Sequence, residues 1–192
     1  GTGHGVPEAH KKCAATLLET GGQGYIIDAG CDIAYELAES RVPFESVKAV
    51  FITHPHSDHI NGLLPFVTIT NWYYKEADFT VYLPSEALCR AYTEKVFPAL
   101  SLLPRPEQRF SWVKEGVFFD DGNIKVTAFP TLHCPDSCAF LVEAEGKRVL
   151  FSGDLKNPTI DFPPVDHLDA AILEGAHFPL TDYAEILKNK AI

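Results

Sequence analysis

Four side chains able to bind a metal, His54, His56, Asp58 and His59, fall within six residues of the segment Thr53-His54-Pro55-His56-Ser57-Asp58-His59. Imidazole and carboxylate together suit zinc and comparable divalent ions. In a chain with eight histidines, this density points to a metal site rather than to a polar loop with satisfied histidines. Two more groups stand at the ends of apolar runs. His133 follows Val126-Thr127-Ala128-Phe129-Pro130, and Asp154 follows Val149-Leu150-Phe151-Ser152-Gly153. Alone, a strand-end histidine is commonly structural and Gly-Asp is a common turn. With the histidine segment they form a candidate set gathered at one sheet rim from distant parts of the chain.

The elements that must position these groups are mainly strands. The run Val47–Ile52 reads as the strand that delivers the histidine segment. Residues 13–19 and 24–28 flank Thr20-Gly21-Gly22-Gln23 and read as a hairpin ending at Asp28-Ala29-Gly30. A short helix is expected over 32–40, closed by Pro43, and a helix start over 59–67 with Gly62 inside it. Phe79–Leu83 reads as a strand stopped by Pro84, and Ser85-Glu86 opens a helix through about Phe97. Pro98, Pro104 and Pro106 predict a loop or broken helix over 98–109. Strands are expected at 110–113, 116–119, 123–129, 137–144, 148–152 and 168–173, then a terminal helix over 182–190. Strands in hairpins with interspersed helices indicate a layered α/β or α+β arrangement.

Composition narrows the function classes. The 192 residues suffice for one domain, and 46% apolar content supports a sizeable core. A formal charge of −10 disfavours nucleic-acid backbone and anionic lipid as partners. Local basic pairs at Lys11 and Lys12, or Arg105 and Arg109, read as solvated charges. Cys13, Cys31, Cys89, Cys134 and Cys138 are odd in number, irregularly spaced and contain no Cys-x-x-Cys, which suggests a reduced, cytoplasmic protein. No apolar run approaches the length of a membrane-spanning helix, and the first residues do not read as a signal peptide. Both ends read as incomplete, and the sequence contains no Met.

The order His-x-His-x-Asp-His with Gly62-Leu63, then His133, then Ser152-Gly153-Asp154, resembles the metallo-β-lactamase fold superfamily. Tyr25-Ile26-Ile27-Asp28-Ala29-Gly30 is similar to that family's first aspartate motif. The resemblance runs through nearly the whole chain. It implies one α/β domain over 1–192, a four-layer αββα sandwich of two mixed sheets with the first strand and a C-terminal His segment missing. Two divalent ions are implied at one edge, zinc first, with manganese or iron allowed by geometry and supply. His54, His56 and His133 would bind one ion, and Asp58 and His59 the other. Asp154 would bridge them, and a further histidine would lie beyond Ile192. His177 is a lesser candidate for that last place. Asp28 would order the histidine loop rather than ligate. Water bridging two such ions loses its proton near neutral pH and becomes a nucleophile, with Asp58 orienting it. Electron-transfer members carry an acidic residue where this chain has His56, so His56 points to hydrolysis.

Within the superfamily, Gly1-Thr2-Gly3, the first hairpin, Thr80-Val81-Tyr82-Leu83-Pro84 and Ser152-Gly153-Asp154 resemble the RNase Z-like branch, which cleaves phosphodiesters in tRNA precursors or in small cyclic phosphates. The acidic charge, the absence of a Gly- and Lys-rich arm in 60–130, and Phe151 where RNase Z is acidic argue for a small-molecule phosphodiester instead. Hydrolysis of a carboxylic ester, lactone or thioester, or metal binding without catalysis, stays open. His177, in Glu174-Gly175-Ala176-His177, either donates a proton or holds phosphate as in family phosphodiesterases, or is a capping or surface residue. Nucleic acid and membrane are not expected as partners, and a homodimer is left open. Cys134 and Cys138 read as small buried thiols. Phe66, Trp72, Tyr73 and Tyr74 read as core with one or two at a pocket rim, and His4 and His10 as surface residues.

Overall fold

Gly21 and Gly22 both adopt positive φ, 58° and 75°, and turn the chain tightly between β1 (Thr16–Thr20) and β2 (Gln23–Ile27). Glycine, lacking a Cβ, enters this backbone region at no steric cost, so the expected hairpin forms at the expected place. The computed structural model describes residues 3, 5–6, 8–179 and 181–188. It contains two compact units, 1–113 and 114–192, each built on one five-stranded mixed sheet. The expected α/β class with two mixed sheets is therefore what forms.

In the first unit the sheet order is β1-β2-β3-β4-β5, with β3 Val47–Phe51, β4 Phe79–Leu83 and β5 Gln108–Trp112. β1 and β2 are antiparallel, and all other neighbours are parallel. The connections carry α1 (Ile33–Glu39), α2 (Ser57–Ile60), α3 (Leu63–Trp72), α4 (Glu86–Ala91) and α5 (Phe97–Ala99). Ile26, Val50 and Val81 pack with Ile33, Leu63 and Phe66 from the helices. Burial of such side chains, about 1.5–3 kcal/mol each, fixes α1 and α3 to the sheet.

The second unit has the order β10-β9-β8-β7-β6, with β6 Gly116–Asp120, β7 Ile124–Pro130, β8 Cys138–Ala144, β9 Lys147–Phe151 and β10 Ala170–Ile172. Only β9 and β10 are parallel. One helix, α6 (Pro158–Asp161), lies between β9 and β10, and another, α7 (Thr181–Lys188), follows β10. Ala139, Leu141, Leu150, Val165 and Leu168 form an apolar cluster on this sheet.

Several expectations need correction. Gly62 is not inside a helix but caps α3, because its N–H leaves the helical pattern to bond Ala29 O at 2.6 Å. The helix from Ser85 continues through a π-helical turn at Tyr92–Val96 into α5, so the broken stretch starts later than Pro98. Arg105 is not a solvated charge: its guanidinium bonds the carbonyls of Lys75, Tyr74 and Ala77 beyond the end of α3. Trp72 and Tyr73 are exposed at 59% and 79%, while Tyr74 stacks on Phe44 at 3.9 Å and Phe66 is buried. Residues 189 and 190 of the expected terminal helix, and His4, lie outside the described residues; His10 is exposed. Among the described residues no helix is long and apolar enough to cross a membrane.

Candidate metal centre

The parallel register Ile27↔Phe51 sets the C-terminal ends of β2 and β3 side by side. Asp28 and Thr53 therefore leave the sheet at the same edge. Asp28 has φ +61°, a left-handed conformation that aspartate tolerates better than most residues. Its N–H still bonds Phe51 O at 2.8 Å, while its carboxylate faces the histidine segment. Oδ1 accepts from Thr53 N at 2.8 Å, the Thr53 hydroxyl lies 3.0 Å from both carboxylate oxygens, and Oδ2 is 2.7 Å from His59 Nδ1. The Asp28 that sequence placed behind the histidine loop thus bonds that loop directly.

These contacts set the tautomers of two buried imidazoles. A carboxylate only accepts, so His59 donates Nδ1–H to Asp28 and keeps its lone pair on Nε2. Thr53 has one hydroxyl proton, and Asp28 takes it. Toward His54 Nδ1, 3.1 Å away, the Thr53 oxygen must then accept, which again leaves the lone pair on Nε2. His54 is fully buried and His59 is 6% exposed. This is how outer partners orient metal-binding imidazoles. The His54 ring lies 4.0 Å from that of His59 and 4.7 Å from that of the exposed His56. Asp58 Oδ2 lies 3.9 Å from His59 Nε2. The four residues of the first cluster are thus gathered within one unit, and their chemistry fits a divalent cation.

Two glycines let the backbone hold that loop in place. Ala14 N and Ala29 N donate to Asp58 O and His59 O, and Gly30 N donates to Ala14 O. A Cβ on Gly30 would stand 1.6 Å from Asp58 O, and one on Gly62 would stand 1.6 Å from Cys31 O. No side chain fits at either point.

In the second unit, β7 and β9 both pair antiparallel with β8, and β10 runs parallel to β9. The C-terminal ends of β7, β9 and β10 therefore share one sheet edge, from which His133, Asp154 and His177 follow. His133 Nε2 is 3.6 Å from Asp154 Oδ2, and His177 Nδ1 is 3.7 Å from the same oxygen. The His133–Asp154 separation exceeds a hydrogen bond and matches the upper end of the roughly 3.3–3.6 Å between ligand atoms on a tetrahedral ion with bonds of about 2.0–2.2 Å. The structure thus brings His133, Asp154 and His177 together.

Glu174 belongs to the same group, and sequence reasoning missed it as a functional residue. Its Oε2 is 2.6 Å from His177 Nδ1 and accepts His177 N at 3.2 Å. Its Oε1 accepts Leu155 N at 2.5 Å, and its own N–H donates to Ser152 Oγ at 3.0 Å. The Glu-x-x-His spacing was the available signal. Asp154, Glu174 and His177 also form a set whose ligand atoms lie within 4.8 Å of one another. Burial, then the charges of Glu174, Asp154, Asp161 and Asp182, pushes the Tyr183 phenol well above its ordinary value, as expected beside crowded carboxylates. Burial likewise pushes the Cys138 thiol up to about 11, with Asp136 and Glu115 adding to it. Cys134 is raised too, by burial first, and is only half-buried. Protonated thiols of this kind are poor metal ligands.

Residues 11–189 match the sequence profile of the metallo-beta-lactamase superfamily. The chain belongs to the metallo-beta-lactamase superfamily. Among curated relatives, a ribonuclease Z of Mycobacterium sp. strain KMS is 28% identical over 172 residues, 80% of this chain and 59% of the relative. A ribonuclease Z of Oenococcus oeni is 31% identical over 152 residues, 74% and 46% of the two chains. The chain thus spans less than two thirds of the length of these relatives. Human tRNase Z, short form, has a TM-score of 0.76 at 20% identity over 99% of this chain and 86% of its own. A diphosphatase of the PhnP family has a TM-score of 0.65 at 16% identity, covering 97% and 78%. These likenesses establish the metallo-beta-lactamase fold. Relatives named for a ribonuclease also weaken the expectation that nucleic acid is not a partner.

Proposed function

We propose that this metallo-beta-lactamase family chain is a metal-dependent hydrolase that cleaves a small phosphodiester. His54, His56 and His133 would hold one divalent ion and Asp58 and His59 a second, with Asp154 shared between them. Zinc is the first expectation from the donor set. The observation that carries the reading is the engagement of His54 and His59 through Nδ1 by Thr53 and Asp28, which makes Nε2 the lone-pair atom of both imidazoles. The 3.6 Å spacing of His133 and Asp154 on the other unit supports it.

Bound ions of this kind supply an activated water at neutral pH and neutralise charge on the attacked phosphoryl oxygen. The chain's own groups do the rest. Asp58, half-buried, orients the attacking water through its carboxylate. Glu174 accepts the proton on His177 Nδ1 in the resting dyad and stabilises the imidazolium when Nε2 is also protonated. That cation donates its Nε2 proton to the departing oxygen. Sequence relatives named ribonuclease Z favour phosphorus over carbonyl substrates. The charge of −10 favours a small substrate over a long polyanion.

The test is turnover of bis(p-nitrophenyl) phosphate by zinc- or manganese-loaded protein, beside a lactone and thioester panel and a precursor tRNA. Phosphodiester hydrolysis that a chelator abolishes and added metal restores is the expected result. Turnover confined to lactones or thioesters would overturn the substrate class, and cleavage of the tRNA alone would overturn the small substrate. Metal uptake with no turnover would leave a binding protein.

A further inference from the structure

Asp161 is the last residue of α6 and is only 9% exposed. Its carboxylate receives three backbone N–H groups from two different loops. Oδ2 accepts from Leu132 at 2.8 Å and from Lys156 at 2.9 Å, and Oδ1 accepts from Asn157 at 3.1 Å. Leu132 immediately precedes His133, and Lys156 lies two residues beyond Asp154. One buried side chain therefore ties the loop leaving β7 to the loop leaving β9, next to both groups that stand 3.6 Å apart.

The contacts demand a carboxylate. An ionised carboxyl group offers about four lone-pair sites and no donor, whereas an amide has one accepting oxygen and would turn an NH2 toward an N–H. Among the described residues, every hydrogen bond of the Asp161 side chain goes to backbone. We infer that Asp161 is a positioning residue for the metal, setting the separation of His133 and Asp154 by fixing both loops to one carboxylate. This inference rests on the proposed ligand roles of His133 and Asp154. Outer groups that orient metal ligands typically contribute about 10–100-fold to metal affinity.

The test is cobalt(II) titration of the metal-free full chain, read by d–d absorption and by competition with a chromogenic chelator. His133→Ala and Asp154→Ala come first. If neither weakens cobalt binding, the ligand assignment fails and the inference with it. If both weaken it, Asp161→Asn is expected to lower affinity about 10–100-fold and to change the d–d spectrum while the metal-free protein keeps its circular dichroism. Asp161→Glu keeps the charge but displaces the carboxylate, so it is expected to alter the spectrum as well. It also carries the test if Asp161→Asn does not fold. A folded Asp161 variant with the parent's cobalt spectrum and an affinity within two-fold would overturn the inference, even if its unfolding midpoint fell, because that pattern marks a purely structural role.

Discussion

Replacing Asp28 with Asn is the sharpest perturbation of the histidine loop. The two side chains are nearly isosteric, and both tolerate the left-handed backbone seen at φ +61°. Thr53 N requires an acceptor at 2.8 Å, so the amide oxygen must face it. The new NH2 then points at His59 Nδ1, which lies 2.7 Å from the native Oδ2. His59 answers by moving its proton to Nε2, the nitrogen near Asp58, and that nitrogen can no longer ligate. The Thr53 hydroxyl keeps the amide oxygen at the Oδ1 position, 3.0 Å away, but loses the second acceptor at Oδ2. Charge-assisted bonds of this kind contribute about 1.5–3 kcal/mol, so the metal-free variant should lose stability of that order in urea unfolding. Zinc affinity, measured by competition with a chromogenic chelator, should fall about 10–100-fold, equivalent to about 1.4–2.7 kcal/mol. A folded variant whose zinc affinity stays within two-fold of the parent would refute the tautomer argument.

Other perturbations test other links. Gly30→Ala places a Cβ 1.6 Å from Asp58 O, so the histidine loop must retreat by more than about 1 Å; for the proposed hydrolase a misplacement of that size costs roughly 100-fold in turnover, and parental turnover would refute the close approach. Cys138 gives a pH dependence whose sign follows from its proton. The unfolded chain releases it near the ordinary 9.0 and the folded chain near 11, so the folded form is favoured in full below pH 9 and loses about 1–3 kcal/mol as the pH rises from 9 to 11. Urea unfolding across that range should show a shallower decline in Cys138→Ala, and equal slopes would count against burial of the thiol.

Much of the fold could be read from local chemistry. The Gly21-Gly22 turn, the apolar run before His54 and the hairpin around Glu145-Gly146 each satisfy their own backbone needs, so a short window sufficed. Element ends were less legible where a distant partner set them. Gly62 ends up as a cap because Ala29 O captures its N–H, and Arg105 is drawn in by the carbonyls beyond α3.

The same division holds for the candidate site. The sequence by itself determined which donors exist and which apolar strand ends they follow, because side-chain chemistry and periodicity are local properties. Only the tertiary structure decided which nitrogen of His54 and His59 carries the lone pair, since Asp28 lies 25 residues from Thr53 and 31 from His59. It also decided that Glu174 and Asp161 serve the loops around Asp154. A carboxylate's role depends on which N–H groups surround it, and those come from segments the chain brings together only on folding.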